Sequence, residues 1–283
     1  MKFGVRECCD VVFRAKAPMK VGNKIFYKNE PVIYFDTLKT STLEGAATTV
    51  YAQGGRGNAR LMSWDGERTV TFTMEDALIS PMGIAILTGA GLIVAGEEGA
   101  VIPQHITEVV KLTAGEDGAR IATVEEAVCL GLDGTTGNAD DLAIWVCPVD
   151  EEGLPTGDFY AGTATDGTKA ITVTGIEENY SYVMVDYYTK KESGLMQIDI
   201  EPSKFGGNYY LEASTLFRDQ ATGEDYPAEF ILPNCRVQSN FTFTMAPTGD
   251  PSTFTFTVDA FPGVTKYDLS KKVLCAIQVF SGE

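Results

Sequence analysis

The chain has one histidine, His105, in 283 residues. That leaves no room for a His-dependent dyad repeated elsewhere, and its six cysteines include no C-x-x-C pair, which excludes the usual structural zinc patterns. His105 follows Pro103 and is expected to be a solvent-facing or hinge residue in a linker. Basic side chains are also scarce: 22 against 39 acidic ones, for a net charge of −17. A surface of that sign repels a phosphate backbone, so gripping nucleic acid is excluded as a principal task. It suits a soluble, abundant protein, or a conduit that nucleic acid must pass without sticking.

Long apolar runs are missing too. Met82–Ala95 is the most apolar stretch, yet it holds three glycines and is too short to span a bilayer. Charges at Lys2, Arg6, Glu7, Asp10 and Arg14 interrupt the N-terminus, so no signal-peptide core is legible there. The expectation is a protein made and used in a cytoplasm, at least until it assembles, with no membrane insertion. In that reducing compartment Cys8 and Cys9 are expected to be free thiols rather than a strained vicinal disulfide.

What is present is a repeated strand pattern. Thr69–Met74, Asn240–Met245 and Thr253–Val258 all alternate a large apolar residue with threonine, the period of a strand with one buried face. The last two flank Ala246–Pro251, whose Gly and Pro suit a turn, so Phe241, Phe243 and Met245 are expected beside Phe254, Phe256 and Val258. The other face of that hairpin carries threonine hydroxyls, which suit water or a neighbouring subunit and do no chemistry.

Further strands are expected at 24–27, 32–35, 195–200, 209–217 and 229–237. Residues 38–64 fit either a long hairpin or an extended loop projecting from the sheet, with Gln53-Gly-Gly-Arg-Gly-Asn58 as a flexible basic tip. One helix is expected: Ser80 caps it, Pro81 fits its first position, and Gly89 and Gly91 end it, with Met82, Ala85, Ile86 and Leu87 packing on a sheet. From Thr113 to Asp158 carboxylates crowd the chain against the single base Arg120. Short strands at 143–147, 170–174 and 182–188 follow or fall within this region, which is expected to be a small β-sandwich inserted into the main domain. The boundaries so drawn are 1–106, 107–192 and 193–283.

No catalytic constellation survives inspection. Asp133–Asp141 fails the EF-hand spacing and is expected to be a solvated acidic loop. Gly54-Gly-Arg-Gly57 lacks the P-loop lysine. Asp140/Asp141 and Glu177/Glu178 are paired carboxylates, but nothing places either pair across a cleft as a glycosidase needs. Tyr180, Tyr182, Tyr187 and Tyr188 offer a sugar platform, although alternation sends some of them into a core. The expectation is no enzyme, no metal and no cofactor.

The order of these pieces resembles that of bacteriophage tail tube proteins. The residues that carry the likeness are Thr40–Asn58, Trp64–Ser80, Leu232–Met245 and Asp259–Gly263, at both ends of the chain and not in its middle. The resemblance implies a mainly β fold of two packed antiparallel sheets with one flanking helix, related to the tube protein of type VI secretion. It implies six-membered rings stacked around a tape-measure protein, later a passage for DNA, in a virion tail assembled in the host cytoplasm. Sheath and baseplate proteins are implied partners, with a contractile tail favoured. Residues 41–60 match the loop that meets the adjacent ring, which makes Tyr51, Arg56 and Arg60 the contact residues. The segment 107–192 has no counterpart in the smallest members. The competing reading is a virion decoration or carbohydrate-binding β-sandwich; a carboxylate hydrolase ranks third.

Overall fold

The structure is a computed structural model describing residues 2–78, 80–132, 142–150, 152–177, 179–240 and 253–280. The chain is mainly β, with antiparallel sheets and a single α-helix among the described residues. It divides into two compact units, one formed by 1–92 with 198–283 and the other by 93–197.

The first unit is built on a sheet whose strands run Pro31–Phe35, Asp10–Ala15, Asn208–Asp219, Asp225–Val237, Phe254–Ala260, Ala59–Asp76 and Leu38–Gly54, neighbour to neighbour. Phe3–Val5 adds to Asn208–Asp219, and Ala276–Val279 adds to Asp225–Val237. Alternation decides which face is buried: Val11, Phe13 and Ala15 point inward from one strand and Tyr209, Leu211 and Ala213 from the next. Phe13 meets Tyr209 edge-on at 5.5 Å between ring centroids, and Phe35 lies 5.0 Å from Phe256. Each such fully buried side chain contributes about 1.5–3 kcal/mol.

Two of the three threonine-rich repeats lie side by side. Phe256 opposes Met74 and Val258 opposes Phe72 in register, all buried, while the Thr73 and Thr257 hydroxyls lie 3.1 Å apart on the other face. The expected partner strand of Phe241, Phe243 and Met245 lies outside the described residues.

The helix is Pro81–Thr88, bounded as its caps dictate. Ser80 Oγ accepts a hydrogen bond from Gly83 N at 2.9 Å, Pro81 holds the first turn, and Gly89 adopts the left-handed conformation at φ 71°. Ala85, Ile86 and Leu87 are buried, and the Tyr209 hydroxyl donates to Ile86 O at 3.1 Å.

In the second unit the inserted strands close into one barrel rather than forming two separate sheets. Arg120–Thr123, Ala170–Val173, Tyr160–Thr163, Ile144–Val149, Tyr182–Lys191 and Ile102–Ala114 follow one another around it. Closure comes from Ile102–Ala114, which pairs with Tyr182–Lys191 on one edge and with Arg120–Thr123 on the other. Val146, Ile171, Val183, Val185 and Tyr187 fill the interior. His105 is therefore not in a linker: it sits within Ile102–Ala114 opposite Tyr188, its Nε2 2.9 Å from Asp186 Oδ2. Pro103 did not mark the end of an element, because Lys190 faces it in a continuous ladder.

Candidate functional site: a β-ribbon arm

Strands Leu38–Gly54 and Ala59–Asp76 pair with each other along their length, which settles residues 38–64 as a hairpin and not a loop. Only Thr71–Asp76 also pairs with Phe254–Asp259, so that stretch belongs to the sheet. Its alternating Phe72 and Met74 are 1% and 0% exposed. Beyond it no further strand among the described residues lies beside the ribbon, and no side chain between Gly45 and Thr69 is buried. An arm therefore leaves the sheet of the first unit.

Its tip is the four-residue turn 55–58. Gly55, Gly57 and Asn58 have φ of 76°, 85° and 51°, a region that glycine enters freely and asparagine tolerates. Asn58 N donates to Gly55 O at 3.2 Å and Asn58 Nδ2 donates to Gln53 Oε1 at 3.3 Å. Arg56 is thus displayed at the extremity of an ordered turn. Gln53 opposes Arg60 while Ala52 opposes Met62, so Leu61 is an extra residue bulged out of the ladder.

Of the three residues expected to make contacts, the arm brings two together. The Arg60 guanidinium lies 4.1 Å from the centre of the Tyr51 ring. At an exposed site such a pair contributes about 0.5–1 kcal/mol, enough to orient both groups. Arg56 stands apart from them at the tip. Sequence reasoning missed the apolar component: Val50, Leu61, Met62 and Trp64 are 64%, 69%, 60% and 53% exposed. Val50 opposes Trp64 and Ala52 opposes Met62, so these four share one face and Tyr51 with Ser63 takes the other. Between Gly45 and Trp64 the arm has Arg56 and Arg60 and no carboxylate, in a chain of net charge −17. Apolar faces of this extent beside a basic tip suit contact with an acidic protein surface.

Burial makes two of the thiols elsewhere poor nucleophiles, pushing Cys235 up to about 12 and Cys275 up to about 11. All six cysteines are free. No group of three metal-ligating side chains occurs among the described residues, and no helix among them is long and apolar enough to cross a membrane. Asp133–Asp141 and Glu178 lie outside the described residues. Tyr187 is not available as a sugar platform, being wholly buried with its hydroxyl donating to Glu108 Oε1 at 2.7 Å.

The chain matches no curated protein. The sequence profile of the YomU/Tube protein family matches residues 20–270, which takes in the second unit, most of the first and the whole arm. Proteins of this kind are structural rather than enzymatic in general, and the match bears out the resemblance to phage tail tube proteins. The chain belongs to the YomU/Tube protein family.

Proposed function

We propose that this protein is the subunit of a phage tail tube in which six copies form a ring, rings stack, and the arm of each copy docks on the adjacent ring through Tyr51, Arg56 and Arg60. In this reading the first unit is the tube domain in two halves, and the second is an insertion into it. Tape-measure protein fills the lumen before DNA is delivered, and sheath and baseplate proteins complete a contractile tail assembled in the host cytoplasm. The supporting observation is the arm: a ribbon that, among the described residues, pairs only with itself beyond the sheet, apolar and basic, on an acidic chain. Pairing or covering exposed edges and apolar ribbons between subunits is how such an element avoids uncontrolled aggregation.

The test is negative-stain electron microscopy of the purified protein over a concentration series. Rings or hollow tubes of uniform width are expected, and Arg56→Glu with Arg60→Glu is expected to leave rings that do not stack. Full-length tubes from that double variant would refute the role given to the arm.

A second reading, glycan binding by the barrel, draws on a concavity of about 870 Å³ lined by Asn179, Tyr180, Ser181 and Tyr182. Glycan-array binding lost on Tyr182→Ala, with no tubes at any concentration, would favour it.

A further inference from the structure

The two most exposed large apolar side chains of the described residues lie two positions apart, Tyr267 at 92% and Leu269 at 76%. They sit at the end of a short ribbon in the first unit, Gly263–Val264 paired with Lys272–Val273. Exposure of this degree is unremarkable on a floppy loop, but this loop is fixed at both ends and across its middle. Phe261 N donates to Asn234 O at 2.8 Å. Gly263 lies so close to Asn234 that an added Cβ would come 2.9 Å from its Cβ and 3.1 Å from its backbone nitrogen.

Lys266 Nζ reaches Glu212 Oε1 at 2.6 Å and lies 4.9 Å over the Tyr210 ring. The same Glu212 accepts from Arg14 Nε at 2.7 Å through its other oxygen. Within the loop, Asp268 Oδ1 accepts from Ser270 N at 2.8 Å and Ser270 Oγ at 2.6 Å, while Asp268 N donates to Thr265 Oγ1 at 3.2 Å. An ordered strap thus holds an aromatic and an aliphatic side chain in water.

The strap carries Lys266, Lys271 and Lys272 against the single Asp268, in a chain of net charge −17. Like the arm, it is a cationic, apolar projection on an acidic molecule, and the surface with matching charge is that of another copy of this chain. The strap is anchored on Tyr210, Glu212 and Asn234, within the sheet, whereas the arm begins where Ala59–Asp76 leaves Phe254–Ala260. A stack of rings needs two different head-to-tail contacts, one that closes the ring and one that joins rings.

We infer that the strap closes the ring, Tyr267 and Leu269 inserting against an acidic surface of the neighbouring copy in the same ring. This rests on the tube reading, with the arm as the contact between rings. A projecting tyrosine seated in a neighbour is the kind of anchor that dominates an interface, and the lysines around it set its orientation.

The experiment compares full-length wild type, Tyr267→Ser/Leu269→Ser, Lys271→Glu/Lys272→Glu, and Arg56→Glu/Arg60→Glu by sedimentation velocity and electron microscopy over the same concentration series. Both strap variants are expected to be monomers at concentrations where wild type forms rings, the concentration needed for ring formation being raised about tenfold or more. Their thermal unfolding midpoint should match wild type, since the altered side chains are exposed. The arm variant should form rings without tubes. Strap variants that form rings at the wild-type concentration would overturn the inference and leave the tube reading standing. A wild type that stays monomeric at every concentration would overturn both.

Discussion

Gly89 shows how much can rest on one missing Cβ. Its φ of 71° is left-handed, and a Cβ added there would lie 2.2 Å from the carbonyl carbon of Phe205, a backbone atom that cannot step aside. Gly89→Ala is expected to destabilise the first unit by about 3 kcal/mol, from backbone strain and overpacking together. Gly223, also left-handed at φ 75°, has nothing within 4 Å of its added Cβ, so Gly223→Ala should cost only about 1 kcal/mol. Urea denaturation followed by circular dichroism gives both values, and equal losses would contradict the steric account. Glu212 makes a pH-dependent counterpart. Burial raises its pKa, but hydrogen bonds from Lys266 and Arg14 more than offset that and hold it below its ordinary 4.5. A lowered folded-state value means that its contribution is complete above about pH 4.5 and lost as pH falls through the folded-state value. Glu229 is shifted the other way, by burial and then by the charge of Glu212, so its ionisation opposes folding and acid relieves it. Glu212→Gln is expected to destabilise by about 1–2 kcal/mol at pH 7. The difference from wild type should shrink as pH falls through the lowered folded-state value, because the wild-type carboxyl then becomes neutral as well; a gap that stays constant across the whole acid limb over which the unit remains folded would rule out the ion-pair origin.

At the level of elements, the arm separates stability from assembly. No side chain between Gly45 and Thr69 is buried, so joining Ala47 to Arg68 through a tight turn removes no core contact. Unfolding of the first unit should then stay within about 0.5 kcal/mol of wild type while tubes disappear, as calorimetry and electron microscopy would report. A large stability loss would mean that the arm packs on its own unit. The same lack of burial explains what the sequence could reveal. Ser80, Pro81 and Gly89 marked the helix because caps act within a few residues, and the alternation of 69–74 marked a strand because one face of it is buried. Where both faces of a ribbon are wet, alternation has nothing to report, so hairpin and loop looked alike over 38–64. Val50, Leu61, Met62 and Trp64 were legible as apolar residues but not as exposed ones. Barrel closure was hidden for a different reason. It depends on Ile102–Ala114 pairing with Tyr182–Lys191, residues far apart in the chain, and Pro103 and His105 imitated a linker within that strand. The strap was invisible, since Lys266 finds its partner Glu212 54 residues earlier.

For the whole molecule, the question is whether the two units share the work of assembly. The chain enters and leaves the barrel unit at adjacent points: Ala95 N donates to Leu195 O at 2.9 Å. Neighbouring strands are about 4.8 Å apart, so a two-residue Asn-Gly turn can bridge Ala95 to Leu195 and delete everything between without stretching the first unit. The arm, the strap and their anchors all belong to that first unit, and the barrel has its own closed ladder and its own core of Ile171, Val183 and Tyr187. If the arm and the strap provide the two contacts of a stacked ring, the shortened chain has everything that assembly requires. It is expected to form tubes at a concentration within about threefold of wild type, a difference below 1 kcal/mol per subunit. Rings without tubes would assign part of the stacking contact to the barrel, and monomers alone would make the barrel part of the ring.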